Sequence, residues 1–235
     1  MIIQCKLGYV FNNVCQNWGG QGFIPDLFFG TLWLFGGSHV RKRFQLVITG
    51  GPGVGKHTSA RLVAKKFPGS KMIDINKMAI TNNAILDDDD DNFGLNIDVK
   101  KVRRLVDFEA KTNRNDLILL GHLAPYVVNP SKISMAIVLR RSPYELISVF
   151  RKRHYSPEKT RENIASEILG ITLYDSLKSF GKAKLAEIDT TGETPLQTMD
   201  KIASLLQETS RPRFGYIDWL SLVIRNNDVQ RFLEY

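Results

Sequence analysis

An α/β fold, a parallel sheet layered between helices on both faces, is predicted by three observations. Five short apolar runs recur along the chain, and segments with helical spacing lie between them. That alternation implies parallel strands buried on both sides. Right-handed crossovers then give a three-layer sandwich. The first run also leads directly into a glycine-rich turn that opens a helix, Gly50-Gly51-Pro52-Gly53-Val54-Gly55-Lys56-His57-Thr58.

The elements follow in order. Phe44 to Thr49 is the first apolar run and reads as a buried strand. Thr58 to Phe67 carries Ala60, Leu62, Val63 and Phe67 at helical spacing and closes at Pro68-Gly69. Lys71 to Ile75 is a second strand, with Asn76 as the cap of a short helix. Asp98 caps a helix that carries Val99, Val102, Leu105 and Val106 on one face. Leu117 to Leu120 and Met135 to Leu139 are the third and fourth strands. Pro143 opens a helix that runs to about Lys152. Ser156-Pro157 is a strong start for another, expected to run to Phe180 before Gly181. Ala183 to Ile188 is the fifth strand, and Thr194-Pro195 starts a helix to about Gln207.

Residues 1–43 read as an N-terminal extension without sustained periodicity, ending in Arg41-Lys42-Arg43. Within it, Phe23 to Phe35 is apolar but interrupted by Pro25 and Asp26. It is shorter than the roughly 20 residues a bilayer span needs, so no stable membrane association is expected. Residues 44–208 form the main domain. Arg211-Pro212-Arg213 reads as a linker into a tail, 209–235, whose apolar residues (Trp219, Leu222, Val223, Phe232) are expected to dock as a helix.

Composition narrows the class. Of 235 residues, 43% are hydrophobic and 24% charged, values of a soluble globular protein. The only two cysteines, Cys5 and Cys15, lie in the extension, which argues against a disulfide framework and for a reducing cytoplasm. The four histidines show no metal-ligand spacing. The formal net charge of +8 favours polyanions such as nucleotides, nucleic acid or a ribosomal surface, and equally serves solubility. The run Asp87 to Asp91 is expected to be solvated.

The chemistry sits in the glycine-rich turn. The pattern Gly-x4-Gly-Lys between a strand and a helix is a P-loop. Its backbone N–H groups form an anion nest, and the next helix points its positive end at the phosphates. Lys56 is expected to reach the β- and γ-phosphates of ATP. Two readings stand for His57, which occupies the place where Ser or Thr usually holds Mg²⁺. Either it weakens magnesium binding, or this loop has its hydroxyl one place later, at Thr58, which is then the metal ligand.

Two further segments offer phosphate handles. Arg151 to Asn163 is dense in cations between two expected helices. It reads as a mobile lid that neutralises the transferred phosphoryl and excludes water, or as a solvated helix end. Arg153 is the expected phosphate contact. His122 ends the third strand, where ligands of parallel sheets bind, and is placed to touch nucleotide or water, or to serve as a structural loop histidine.

Gly50 to Thr58, Gly121-His122, Val138-Leu139-Arg140, Arg153 to Asn163 and Glu187 to Gly192 occur in this order. Together they resemble the archaeal "putative adenylate kinases", relatives of a eukaryotic nuclear adenylate kinase that assists small-subunit ribosome maturation. The resemblance spans roughly residues 44–208 and rests chiefly on the lid string Tyr155-Ser156-Pro157-Glu158-Lys159-Thr160-Arg161-Glu162-Asn163. It implies a P-loop fold of nucleoside monophosphate kinase type. It places a monophosphate-binding segment at about 73–96 and the lid at about 152–162. ATP would meet Gly53, Val54, Gly55, Lys56, His57, Thr58 and Arg153, with Asp189-Thr190-Thr191-Gly192 near the adenine. Lys56, Arg153 and His122 would be catalytic. It implies Mg²⁺-dependent phosphoryl transfer from ATP to AMP with side ATPase activity, and transient binding to a small-subunit ribosomal protein in a pre-ribosomal particle. Its members carry an acid two places before the histidine; here that place is Leu120. The alternative function is a ribosome-assembly ATPase that uses ATP as a switch.

Overall fold

In the computed structural model of the chain, the described residues are 43–85 and 97–233. The cysteines, the apolar stretch 23–35, the aspartate run and part of the expected monophosphate segment lie outside them. Five parallel strands form one sheet in the order β2-β3-β1-β4-β5. They are β1 (Gln45–Thr49), β2 (Lys71–Asp74), β3 (Leu117–Leu120), β4 (Met135–Arg140) and β5 (Leu185–Asp189). The expected five-stranded parallel sheet is thus present. β1, β3 and most of β4 and β5 are buried from end to end, as strands covered on both faces must be.

Two helices cover one face: α1 (Lys56–Lys66) and the helix Pro195–Leu206. Ala60, Val63 and Phe67 pack with Leu46, Ile48, Ile118, Leu120, Ile137 and Leu139, and with Ile202 and Ala203 from the second helix. The opposite face is covered by α2 (Ile75–Thr81), α3 (Val99–Thr112), α4 (Ala124–Val127) and the helix Ile171–Phe180. There Val102, Val106, Ala124, Val127 and Phe180 meet Val47, Leu119, Ala136 and Val138. Each fully buried aliphatic side chain of this kind contributes about 1.5–3 kcal/mol.

Up to β5, three elements differ from the sequence expectation. The second strand stops at Asp74, whose carboxylate, not Asn76, caps α2 by accepting from Lys77 N at 3.1 Å. The expected single helix 156–180 is two: α5 (Pro143–Lys152) is followed by α6 (Pro157–Ile168) and α7 (Ile171–Phe180). Gly170 separates α6 from α7 with φ +66°, and a Cβ there would lie 3.6 Å from the buried Arg140 Nη1. It is the left-handed φ, not crowding, that calls for glycine here. The fifth strand begins at Leu185 because residues Lys182–Lys184 form a 3₁₀ turn. No helix among the described residues is long and apolar enough to cross a membrane.

After α8 (Pro195–Leu206), which carries a Thr194/Gln197 capping box, the chain returns to the domain. It forms α9 (Trp219–Arg225) and α10 (Val229–Leu233), two helices in place of the expected one. Trp219, Val223 and Phe232 pack with Leu146 and Phe150 of α5 and with Ile164 and Ile168 of α6. Replacing Trp219 by Ala should cost about 3–5 kcal/mol in urea unfolding. A loss below about 1 kcal/mol would show that the tail is not part of this folding unit.

Candidate active site

The P-loop joins the central strand β1 to α1, at the carboxyl edge of the sheet. Here the strand order reverses direction, which is where open α/β sheets bind ligands. Gly53 has φ +87°, and a Cβ there would stand 2.8 Å from Leu146 Cδ2, so this position requires glycine. Val54 is buried, and its carbonyl accepts from Thr190 Oγ1 at 3.3 Å. Gly55 is the left-handed residue that starts α1. The loop therefore turns through two left-handed glycines directly into the first turn of α1.

Lys56 rests on the loop's own carbonyls: Nζ donates to Gly50 O at 2.9 Å and Gly51 O at 2.6 Å. Burial lowers its pKa to about 8. Glu167 pulls it up, Arg153 pushes it down and Asp74 pulls it up again. Arg153 caps the C-terminus of α5 and is exposed, yet it lies close enough for its charge to bear on Lys56. The following turn is built tightly: His154 has φ +54°, Tyr155 stacks on Phe150 at 5.2 Å, and Ser156 caps α6 as expected. Lys159 lies 4.7 Å over the Tyr155 ring.

The two residues after Lys56 part company. Thr58 is exposed on the first turn of α1. His57 turns toward β2, where Nε2 meets Asp74 Oδ2 at 2.6 Å. Burial opposes ionisation of Asp74, but the bond to His57, the Lys77 amide and the His57 charge outweigh it and lower its pKa.

His122 follows β3 and lines a cavity of about 840 Å³ together with Gly51, Pro52, Tyr126, Glu162 and Asp175. Asn76 Nδ2 donates to His122 Nδ1 at 2.8 Å. An amide nitrogen only donates, so Nδ1 accepts and the ring proton sits on Nε2. Burial lowers the His122 pKa, the Lys56 charge lowers it further, and Asp74 partly offsets both. Burial and the Lys56 charge thus favour the neutral ring.

Behind the loop lies a buried ion cluster that the sequence did not single out as a site. Arg140 Nε donates to Glu167 Oε1 at 2.6 Å, Nη1 to Glu187 Oε1 at 2.7 Å, and Nη2 to the Glu167 carbonyl at 2.7 Å. All three side chains are at most 2% exposed. Glu167 Oε1 also accepts from Trp219 Nε1 at 3.3 Å, and a Cβ on Gly51 would lie 3.1 Å from Glu167 Oε2. Burial raises the Glu167 pKa and Arg140 holds it down. Only Arg140, polar at the end of an apolar strand, carries a sequence signal; its partners are 27 and 47 residues away. Asp189 to Gly192 lie alongside, with Thr190 bonded to Val54 and Thr191 Oγ1 accepting from Ser142 N at 2.8 Å.

By NMR, the His122 imidazole should titrate below about 6.5. Asn76→Asp, which sets a carboxylate against Nδ1, should raise that midpoint. A wild-type midpoint at or above the ordinary value would contradict the buried, cation-flanked setting.

Residues 46–170 match the AAA domain family. A protein of Methanocaldococcus jannaschii named "Putative adenylate kinase" is 34% identical over 175 residues, 74% of this chain and 92% of that protein. One of the same name from Methanococcus maripaludis is 32% identical over 179 residues, 74% of this chain and 94% of that protein. Among solved structures, the Deinococcus radiodurans tunicamycin resistance protein has a TM-score of 0.50 at 16% identity, covering 74% of this chain and 100% of that one; that likeness concerns the fold. With its P-loop, its five-stranded parallel sheet and these relatives, the chain belongs to the family of archaeal proteins named "Putative adenylate kinase".

Proposed function

We propose that the protein is a nucleoside monophosphate kinase that transfers the terminal phosphoryl group of ATP to AMP, reversibly, giving two ADP. The observation that carries this reading is Lys56 resting on the carbonyls of Gly50 and Gly51, with the charges of Arg153 and Lys56 bearing on the site and with Gly51, Pro52 and His122 lining the 840 Å³ cavity. The name of the relatives supports AMP as the acceptor. An AMP phosphate oxygen attacks the γ-phosphorus as the bond from that phosphorus to the β,γ-bridging oxygen breaks. The acceptor is already ionised, so no side chain need act as base.

The residues do the positioning. The amides of Gly53, Val54, Gly55, Lys56, His57 and Thr58 cradle the phosphates. Lys56 exchanges Gly50 O and Gly51 O for the β- and γ-phosphate oxygens. Arg153 stabilises charge on the transferred group from the lid, at 152–162, and His122 Nε2–H donates toward it. Asp189 to Gly192 border the adenine. The monophosphate segment falls at about 73–96, and the extension 1–43 and the tail flank the domain 44–208. The exposed Thr58 hydroxyl and the nucleotide phosphates are hard oxygen donors that fit Mg²⁺. When bound, the ion neutralises phosphate charge.

A second reading is favoured by Leu120, fully buried where an acid would aid turnover. In it the protein is an ATP-switched assembly factor of the small ribosomal subunit, binding a small-subunit ribosomal protein in the cytoplasm. Both roles fit one protein.

ADP formation from ATP and Mg²⁺, with and without AMP, tests the proposal. A rate that depends on AMP supports the kinase; slow hydrolysis indifferent to AMP overturns it in favour of the switch. Lys56→Ala should abolish transfer while the circular dichroism spectrum is kept. Arg153→Ala should lower kcat by about 10²–10³; an unchanged kcat removes Arg153 from the site.

A further inference from the structure

P-loop enzymes hold Mg²⁺ with a hydroxyl on the helix after the loop and a carboxylate from a neighbouring strand. In this chain β3, the strand beside β1, ends in Leu120, which packs with Ile48, Val54 and Ala60 and offers no oxygen. Two carboxylates bear electrostatically on Lys56, those of Glu167 and Asp74. Glu167 is sealed in the ion cluster, its side chain 2% exposed against 22% for Asp74, with Arg140 Nε, Arg141 N and Trp219 Nε1 on its Oε1.

Asp74 is placed differently. It ends β2 and pairs in register with Leu120 on the adjacent strand. Paired residues of neighbouring strands project from the same sheet face. Ile73 packs on the α3 face, so Asp74 projects on the α1 face, as Leu120 does. The 2.6 Å contact from His57, on the first turn of α1, agrees with this. One carboxylate oxygen caps α2 and the other meets His57, and the side chain is 22% exposed. Magnesium binds through one or two carboxylates plus substrate phosphates, so a single oriented carboxylate is enough. His57 and Leu120, the two departures from the common P-loop pattern, therefore meet at this one side chain.

We infer that Asp74 supplies the acidic group of the magnesium site, displaced by one strand from Leu120, and that His57 orients it. The inference rests on ATP binding at the P-loop.

The test is isothermal titration of the full chain with ATP, in Mg²⁺ and in EDTA, read as the ratio of the two affinities. Asp74→Asn removes the charge but keeps an acceptor for Lys77 N, so the α2 cap survives. It should cut the magnesium-dependent gain by about 10-fold or more. Asp74→Ser, also cap-competent, should do the same. His57→Ala should cut the gain less, and should add nothing in the Asp74→Asn background, because both changes act on one carboxylate. An undiminished gain in Asp74→Asn or Asp74→Ser, or full additivity with His57→Ala, overturns the inference. Absence of ATP binding by the wild-type chain in either buffer overturns the functional reading instead.

Discussion

A buried guanidinium has to find all its partners inside the protein, because leaving it unpaired costs several kcal/mol. Arg140 finds them on two stretches of chain, and a third stretch bonds those partners in turn. Glu187 comes from β5, and Glu167, with its carbonyl, from the end of α6. The returning tail completes the set: Trp219 donates to Glu167, Gly215 N donates to Glu187, and Tyr216 donates to the Glu187 carbonyl. The break at Gly170 and the course of residues 213–219 are arranged around this cluster.

The cluster also reaches the site. Two carboxylates share one guanidinium there. Glu167 links it to the P-loop, since its second oxygen would lie 3.1 Å from a Cβ on Gly51 and it raises the Lys56 pKa. The lysine is thus held between opposing influences. Burial and Arg153 favour its neutral form, whereas Glu167 and Asp74 favour its charge. No carboxylate among the described residues bonds it directly; its ammonium donates to the carbonyls of Gly50 and Gly51.

Much of the fold was legible in the residues. Continuous apolar runs mark strands buried on both faces, and all five lie within a residue or two of their expected places. Asp98, Ser156 and Thr194 cap helices as their types predict. The misses are local. The helix 156–180 breaks at Gly170, whose left-handed φ of +66° separates α6 from α7. Asp74 and Asn76 are both competent caps; the strand end assigned the cap to Asp74 and left Asn76 to hold His122.

The sequence by itself determined the parallel α/β class, the P-loop and the position of Lys56, because each depends on local spacing and on the dihedral freedom of a few glycines. The tertiary structure alone decided which charges meet: Arg140 with Glu167 and Glu187, His57 with Asp74, and Trp219 with Glu167. Those contacts join residues 17 to 52 positions apart. The buried ones among them, around Arg140, draw their strength from low dielectric surroundings that exist only once the sheet and its helices have closed over them.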